Sequence, residues 1–326
     1  MMDFVKIFKN NLWSVDQNNF DDKCLEVFGW QWKNNQLYKH YCEAHKKSPC
    51  NVTSIDDIPF LPISFFKKTK IQSGNWPLTK FFLSSGTTGQ TKSRHYINDL
   101  AFYKQNCERI FEGIYGSLGN WTIFALLPNY YGNKHSSLIA MINHFIHLAS
   151  PQSRFILDDM GQLKSLLENA ERAMVFGVSY ALLELAKVVK SADWSRHIFL
   201  ETGGMKGRGR EMVRSELHGI FKKAFGTAMV HSEYGMTELL SQAYSTDEGY
   251  FRFPKWVCPK VYEITDPLAL SKKGSYGLMN IIDLANIDTC AFIETQDIGK
   301  IIDNGSFQIL GRLDNSDVRG CNLILP

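Results

Sequence analysis

The chain has no apolar run long enough to cross a bilayer, no CxxC pair, no internal repeat and no long block of like charge. Each absence removes a class of protein. A transmembrane helix needs about 20 consecutive apolar residues, and the opening stretch MMDFVKIFKNNLWSVDQNNF lacks the basic start and apolar core of a secretory signal. The expectation is a cytoplasmic chain with no transmembrane segment. Cysteines are few and scattered (Cys24, Cys42, Cys50, Cys107, Cys258, Cys290, Cys321), which argues against a disulfide framework and against a zinc site. They are expected to be free thiols, mostly small apolar residues of the interior. Lys and Arg number 36 against 33 Asp and Glu, a net charge of +3. That charge is spread along the chain, so the electrostatic footprint of a nucleic-acid binder is missing. The basic turn KGRGR at 206–210 reads as a solvated face or a phosphate-side loop.

With 326 residues, 44% of them hydrophobic, the chain can bury a large core. In residues 19–46, Phe20, Cys24, Val27, Trp30 or Trp32, Leu37 and Tyr41 recur at roughly helical spacing, the mark of a packed N-terminal helical segment. From residue 80 the texture alternates. Short apolar runs (KFFLS, TIFALLP, RFIL, AMVFGV, HIFLE, TAMVHS) are separated by amphipathic stretches such as the one carrying Leu100, Tyr103, Cys107, Ile110, Phe111 and Ile114. Strand, helix, strand in this order predicts an α/β fold with a mainly parallel sheet flanked by helices. Near residue 250 prolines and turn pairs take over, separating the short runs KVYEI, LMNIIDL, CAFIET, GKIID and FQILGR. Residues 1–250 are therefore expected to form the α/β core with its helical leader, and 251–326 a β-rich, partly antiparallel subdomain.

Residues 81–96, FFLSSGTTGQTKSRHY, set a glycine-rich loop between two apolar runs. Successive backbone N–H groups in such a turn can form a concave nest for phosphate oxygens, to which hydroxyls add donors and lysine a charge. Ser84, Ser85, Gly86, Thr87, Thr88, Gly89 and Lys92 supply these parts. It is not a Walker loop, because Thr91 stands where the glycine before Lys92 would be needed.

The stretch SSGTTGQTK resembles the phosphate loop of the adenylate-forming superfamily: acyl-CoA synthetases, luciferases and peptide-synthetase adenylation domains. Thr91-Lys92 replaces that family's usual Pro-Lys. Further motifs follow in the family's order. ETGGMKGRG at 201–209 is similar to its adenine-side loop, where Gly203 and Gly204 let backbone approach the base. HSEYGMTE at 231–238 is similar to its aromatic-Gly-x-Thr-Glu motif. The resemblance implies Tyr234 and Gly235 against adenine, Thr237 at the phosphate, and Glu238 holding Mg²⁺. TQDIG at 295–299 offers Asp297 for the ribose hydroxyls, and GRLDNSDVRG at 311–320 resembles the hinge motif, with Arg312 near ribose and phosphate and Asp314 at the pivot.

FLPISFFKK at 60–68, the 201–208 stretch and the terminal RGCNLIL narrow the likeness to the acyl-protein synthetase branch, which supplies fatty acid to a bioluminescence reductase complex. Conventional superfamily members carry a small C-terminal lid domain with a catalytic lysine after the hinge. This sequence stops at Pro326, so the expectation is the adenylate-forming large-domain core with that lid absent.

The resemblance implies ATP and Mg²⁺ as cofactors, a carboxylic acid of fatty type as substrate, and activation of that acid as acyl-AMP with loss of pyrophosphate. Lys92 and Glu238 would neutralise phosphate charge. Cys321, just after Arg319, occupies the place of the branch's acyl-accepting cysteine, and a neighbouring guanidinium favours the thiolate that attacks. A buried thiol closing a last strand is the alternative role. The final acceptor could equally be a carrier protein or coenzyme A, as in a phenylacetate-CoA-like ligase.

An acyl pocket is expected around 175–186 and Tyr130-Tyr131, with His135 available to orient the carboxylate. Two rivals stand beside this reading. GVSYA at 177–181 mimics the nucleophile elbow of α/β-hydrolases, with Ser179 as nucleophile and Ala181 in place of the last glycine; it leaves the other motifs unexplained. A non-catalytic module that binds nucleotide or acyl chains is the second, and the joint presence of Lys92, Glu238, Asp297 and Arg312 weighs against it.

Overall fold

A computed structural model describes residues 2–85, 91–127, 132–157, 159–189, 192–203, 212–247, 249–266, 269–302 and 304–313. The chain opens with helices α1 (Met2–Asn11), α2 (Phe20–Asn34) and α3 (Gln36–Ala44). The periodicity of 19–46 is thus two helices, because Asn35 closes one and starts the next. Its N–H donates to Gln31 O at 2.8 Å, while its Oδ1 accepts from Tyr38 N at 3.0 Å, a side-chain N-cap. Phe20, Cys24, Val27, Phe28 and Gln31 form the buried face of α2, and the two tryptophans are only half-buried.

Next come β1 (Leu61–Pro62), α4 (Phe65–Lys68), β2 (Phe81–Leu83), β3 (Arg94–Tyr96) and α5 (Leu100–Tyr115). The α/β repeat continues through β4 (Thr122–Leu126), α6 (Ser137–Leu148), β5 (Arg154–Ile156), α7 (Met160–Asn169), β6 (Ala173–Val178), α8 (Ser179–Val189) and β7 (Ile198–Thr202). It ends in α9 (Arg214–Phe225), β8 (His231–Tyr234) and β9 (Ala243–Ser245). These strands form one sheet of order β5-β4-β6-β7-β8-β9, parallel throughout except for the β8/β9 pair. The central strand β6 is buried at every residue, as its unbroken apolar run requires in a sheet covered on both faces.

The last quarter supplies β10 (Val257–Tyr262), β11 (Gly277–Asp283), β12 (Phe292–Ile301) and β13 (Phe307–Arg312). They pair antiparallel in order β10-β11-β12-β13, and β1 joins the far side of β12 in parallel. The runs CAFIET and GKIID, read as separate in the sequence, belong to one strand. The chain passes straight through Asp297 with a register shift between Ile298 and Gly299. A Cβ on Gly299 would stand 2.3 Å from Gln308 O, so only glycine lets β13 approach this closely.

A 3-10 turn, Leu284–Asp288, ties distant parts together. Gln31 Nε2 donates to Asn286 O at 3.0 Å, and Ala291 N–H donates back to Gln31 Oε1 at 2.9 Å. Asn35 Nδ2 donates to Thr289 O at 2.9 Å, and the buried Lys9 ammonium pairs with Asp288 at 2.6 Å. Among the described residues no helix is long and apolar enough to cross a membrane, and the described cysteines are free thiols.

Candidate functional site

Open α/β sheets leave a crevice at the C-terminal ends of their strands. Here Ser179, Gly203 and Gly235 directly follow the last residues of β6, β7 and β8, and all three border a cleft of about 1390 Å³. Gly203 follows β7 with φ of +65°, a left-handed conformation that glycine adopts without strain. The β2–β3 hairpin closes one side of the cleft with Ser84 and Ser85, and β13 closes another with Arg312. Tyr234, Thr237 and Glu238 line the wall between them.

The stem of the hairpin is fixed by two serines. Ser84 N–H donates to Ser93 O at 3.0 Å, and Ser93 N–H donates to Ser84 Oγ at 2.9 Å. A side-chain hydrogen bond from Ser93 also reaches Glu238. Lys92 is exposed and is not among the residues that line the cleft. Gly86, Thr87, Thr88, Gly89, Gly204, Asp314 and Cys321 lie outside the described residues, as do Tyr130 and Tyr131.

Three of the expected residues meet directly. Tyr234 OH donates to Asp297 Oδ2 at 2.6 Å, and Arg312 Nε stands 3.4 Å from Asp297 Oδ1. Antiparallel register puts Arg312 opposite Asp297 across β12 and β13. The Tyr234 ring lies among Phe251, Phe253 and Phe307, with centroids 5.8 to 6.1 Å away. Burial pushes the Asp297 carboxyl up from its ordinary range, and Arg312 and the tyrosine hydroxyl act against that. Burial likewise raises Glu238, which is 4% exposed, with the Ser93 hydrogen bond opposing. Such a carboxylate gains from any cation brought alongside it.

Sequence reading passed over the residues that hold this wall in place. His95 is fully buried on β3; its Nδ1 lies 2.8 Å from Thr237 O and its Nε2 lies 2.9 Å from Thr289 Oγ1. Burial pushes its pKa down to about 4, so the ring is neutral. Asn286 Nδ2 donates to Glu238 O at 2.9 Å. Asp283, also buried, accepts from Leu240 N, Ser241 N, Ser241 Oγ and Ala285 N at 2.8 to 3.1 Å. Burial pushes that carboxyl up to about 6 against the pull of these donors. The available signal was alternation after the loop, which turns Ser93 and His95 to the same side of the strand.

Other expectations change. His135 is exposed and stacks on Phe81 at 4.3 Å outside the cleft lining, so it does not face a carboxylate there. Of residues 175–186 only Val178 and Ser179 reach the cleft; Leu182 and Leu185 are core. Apolar cleft wall comes instead from Leu83, Leu138, Met141 and Met236. Ser179 Oγ is held 2.5 Å from both Glu201 Oε1 and Gly203 O. Among the described contacts it has no histidine partner, so the nucleophile-elbow reading lacks its base.

Residues 6–111 match the protein family described as Acyl-protein synthetase, LuxE. The long-chain-fatty-acid–luciferin-component ligase of Photorhabdus luminescens is 46% identical over 66 residues, which cover 20% of this chain and 56% of that protein. Its namesakes from Vibrio harveyi and Aliivibrio fischeri are each 22% identical, over 95% and 98% of this chain and 89% and 92% of theirs. Among solved structures, 2-hydroxyisobutyryl-CoA ligase in complex with 2-HIB-AMP and CoA superposes with a TM-score of 0.69 at 15% identity, covering 94% of this chain and 71% of that one. ATP-bound MatB from Rhodopseudomonas palustris gives 0.54 at 17% identity, covering 71% of this chain and 47% of that one. The chain thus spans about half the length of the Photorhabdus ligase and of MatB. It has the fold of the adenylate-forming ligases, and the resemblance read from its motifs is the one these comparisons return.

Proposed function

We propose that this chain is an ATP-dependent, AMP-forming ligase that activates a carboxylic acid of fatty type and passes the acyl group to a protein thiol. One observation carries the reading: Tyr234, Glu238 and Arg312 line one cleft together with Ser84 and Ser85 of the serine-rich hairpin, and Asp297, itself outside that lining, is linked to Tyr234 at 2.6 Å and to Arg312 at 3.4 Å. The names of the relatives support a fatty substrate, and the ATP-bound neighbour supports ATP as co-substrate.

In the first step a carboxylate oxygen attacks the α-phosphorus of ATP, the bond to the bridging oxygen breaks, and pyrophosphate leaves. Charge neutralisation and positioning are the work of the protein here. The 84–89 amides and hydroxyls would hold the outer phosphates, with Lys92 adding a point charge. Tyr234 would lie against adenine beside Gly203 and Gly204, Gly235 would leave room for it, and Asp297 would accept from the ribose hydroxyls with Arg312 balancing its charge. Thr237 would meet the phosphate.

Among the described residues no cluster of three or more acidic, histidine or cysteine side chains forms a metal cage. A lone buried carboxylate suits Mg²⁺, which is commonly bound through one or two carboxylates plus substrate phosphates; Glu238 would be the residue that holds it. Bound there, Mg²⁺ would offset charge on the phosphates.

In the second step the thiolate of Cys321 attacks the acyl carbonyl and AMP departs, leaving a thioester. Leu313 adjoins the cleft residue Arg312, and the chain from there to Cys321 can reach at most roughly 27 Å when extended, enough to arrive at the cleft from its rim.

ATP–pyrophosphate exchange over acids of increasing chain length tests the reading. Exchange should require acid and Mg²⁺, and Glu238→Gln should lower it by about 100-fold with stability held within about 1 kcal/mol. No exchange with any acid would overturn the proposal. Labelled acid plus ATP should leave hydroxylamine-sensitive label that Cys321→Ser abolishes while exchange persists. Label retained in that variant would remove Cys321 as acceptor, and label delivered only to added coenzyme A favours the CoA-ligase reading that the structural neighbours suggest.

A further inference from the structure

Two consecutive backbone carbonyls, Thr237 and Glu238, are each held by a buried side chain from elsewhere in the fold. Thr237 O receives His95 Nδ1 at 2.8 Å, and Glu238 O receives Asn286 Nδ2 at 2.9 Å. A carbonyl can only accept, so Nδ1 carries the proton and Nε2 is left as acceptor for the Thr289 hydroxyl at 2.9 Å. His95 is 1% exposed, Asn286 is wholly buried, and the His95 ring stands edge-on to Phe66 at 5.3 Å. The geometry has one direct consequence. His95 lies two residues beyond Ser93 on the strand that leaves the serine-rich loop, whereas Asn286 and Thr289 belong to the turn that anchors the N-terminal helices.

We propose that His95 and Asn286 are positioning residues for the cleft turn at 237–238. They lock its two carbonyls so that the Thr237 hydroxyl and the Glu238 carboxylate keep a fixed place relative to Ser84 and Ser93 at the stem of the hairpin. Neither touches substrate. His95 makes the hairpin and the turn move as one body, and Asn286 ties both to the 284–289 turn. This inference rests on the adenylation reading, since it assigns the turn to phosphate and metal.

Exchange kinetics on the full chain separate it from simple structural packing. His95→Leu removes both ring contacts, whereas His95→Asn keeps an amide N–H where Nδ1–H stood and loses only the Thr289 contact and ring packing. His95→Leu should lower kcat for exchange by about 10- to 100-fold, the scale expected for misplacement of catalytic groups, with the KM for the acid unchanged. His95→Asn should stay within about threefold of wild type, by the same positioning logic. Asn286→Ala, read alongside, should lower kcat in the same direction, and gives the test a second arm if His95→Leu does not fold. Folded Leu and Asn variants with equal kcat, or an Asn286→Ala enzyme with wild-type kcat, would overturn the proposal while leaving adenylation intact. A wild-type chain without exchange would instead remove the adenylation reading itself.

Discussion

Acidification should weaken this protein through His95 in a way that one substitution removes. In the fold the ring sits between Thr237 O and Thr289 Oγ1, with burial holding its pKa at about 4 against an ordinary 6.5. Because the folded pKa lies below the unfolded one, the unfolded chain binds the extra proton first as pH falls. Stability from this residue is therefore complete above pH 6.5 and drains away between 6.5 and 4. About 2.5 pH units at 1.36 kcal/mol each gives roughly 3 kcal/mol. His95→Asn does not titrate. At pH 7.5 it should be about 2 to 4 kcal/mol less stable, from the lost Thr289 hydrogen bond and the ring packing against Phe66. Its deficit should then shrink by roughly 3 kcal/mol on going to pH 4. Taking the difference between the two proteins cancels the buried carboxyls Glu201, Glu238, Asp283 and Asp297, whose raised pKa values drive stability the opposite way. Urea unfolding from pH 4 to 7.5 measures this. A deficit that stays constant across the range would refute a neutral, buried His95.

Asp283→Ala strands three backbone N–H groups and a hydroxyl inside the core, so stability should fall by about 3 to 5 kcal/mol; a loss under about 1 kcal/mol in urea unfolding would mean that water replaces the carboxylate. Tyr234→Phe deletes the 2.6 Å bond to buried Asp297 but keeps the ring among its phenylalanine neighbours. It should cost about 1 to 2 kcal/mol of stability and weaken ATP binding severalfold by calorimetry, and unchanged ATP affinity would detach this pair from the nucleotide.

Much of the architecture was legible because local spacing and burial agree. Residues Tyr103, Cys107, Ile110 and Phe111 recur at helical intervals and are buried on α5, and the apolar run AMVFGV is the wholly buried β6. The place where TQDIG runs on as strand was not legible. Turn chemistry around Asp297 and Gly299 gives no local sign of the close approach by β13 that keeps the strand straight. The candidate site was readable to the extent that its motifs foretold which residues lie close together: Tyr234, Glu238 and Arg312 line the cleft, and Asp297 is linked to the first and last of them. Its supports were not. His95, Asn286 and Asp283 act through backbone carbonyls and N–H groups more than 40 residues away in the chain, and a backbone acceptor has no sequence identity to read.

The clasp between Gln31 and residues 286–291 also sets a timetable for the chain's birth. On the ribosome the apolar side of the second helix emerges early, yet its partners are translated some 255 residues later. Contacts of such long range close slowly, and a nascent chain with bare apolar surface is exposed to misassembly meanwhile. A messenger truncated before the codons for the Leu284–Asp288 turn would yield a product in which the buried amide of Gln31 lacks these partners, and the unmatched apolar face beside it would make such fragments natural clients of holding chaperones.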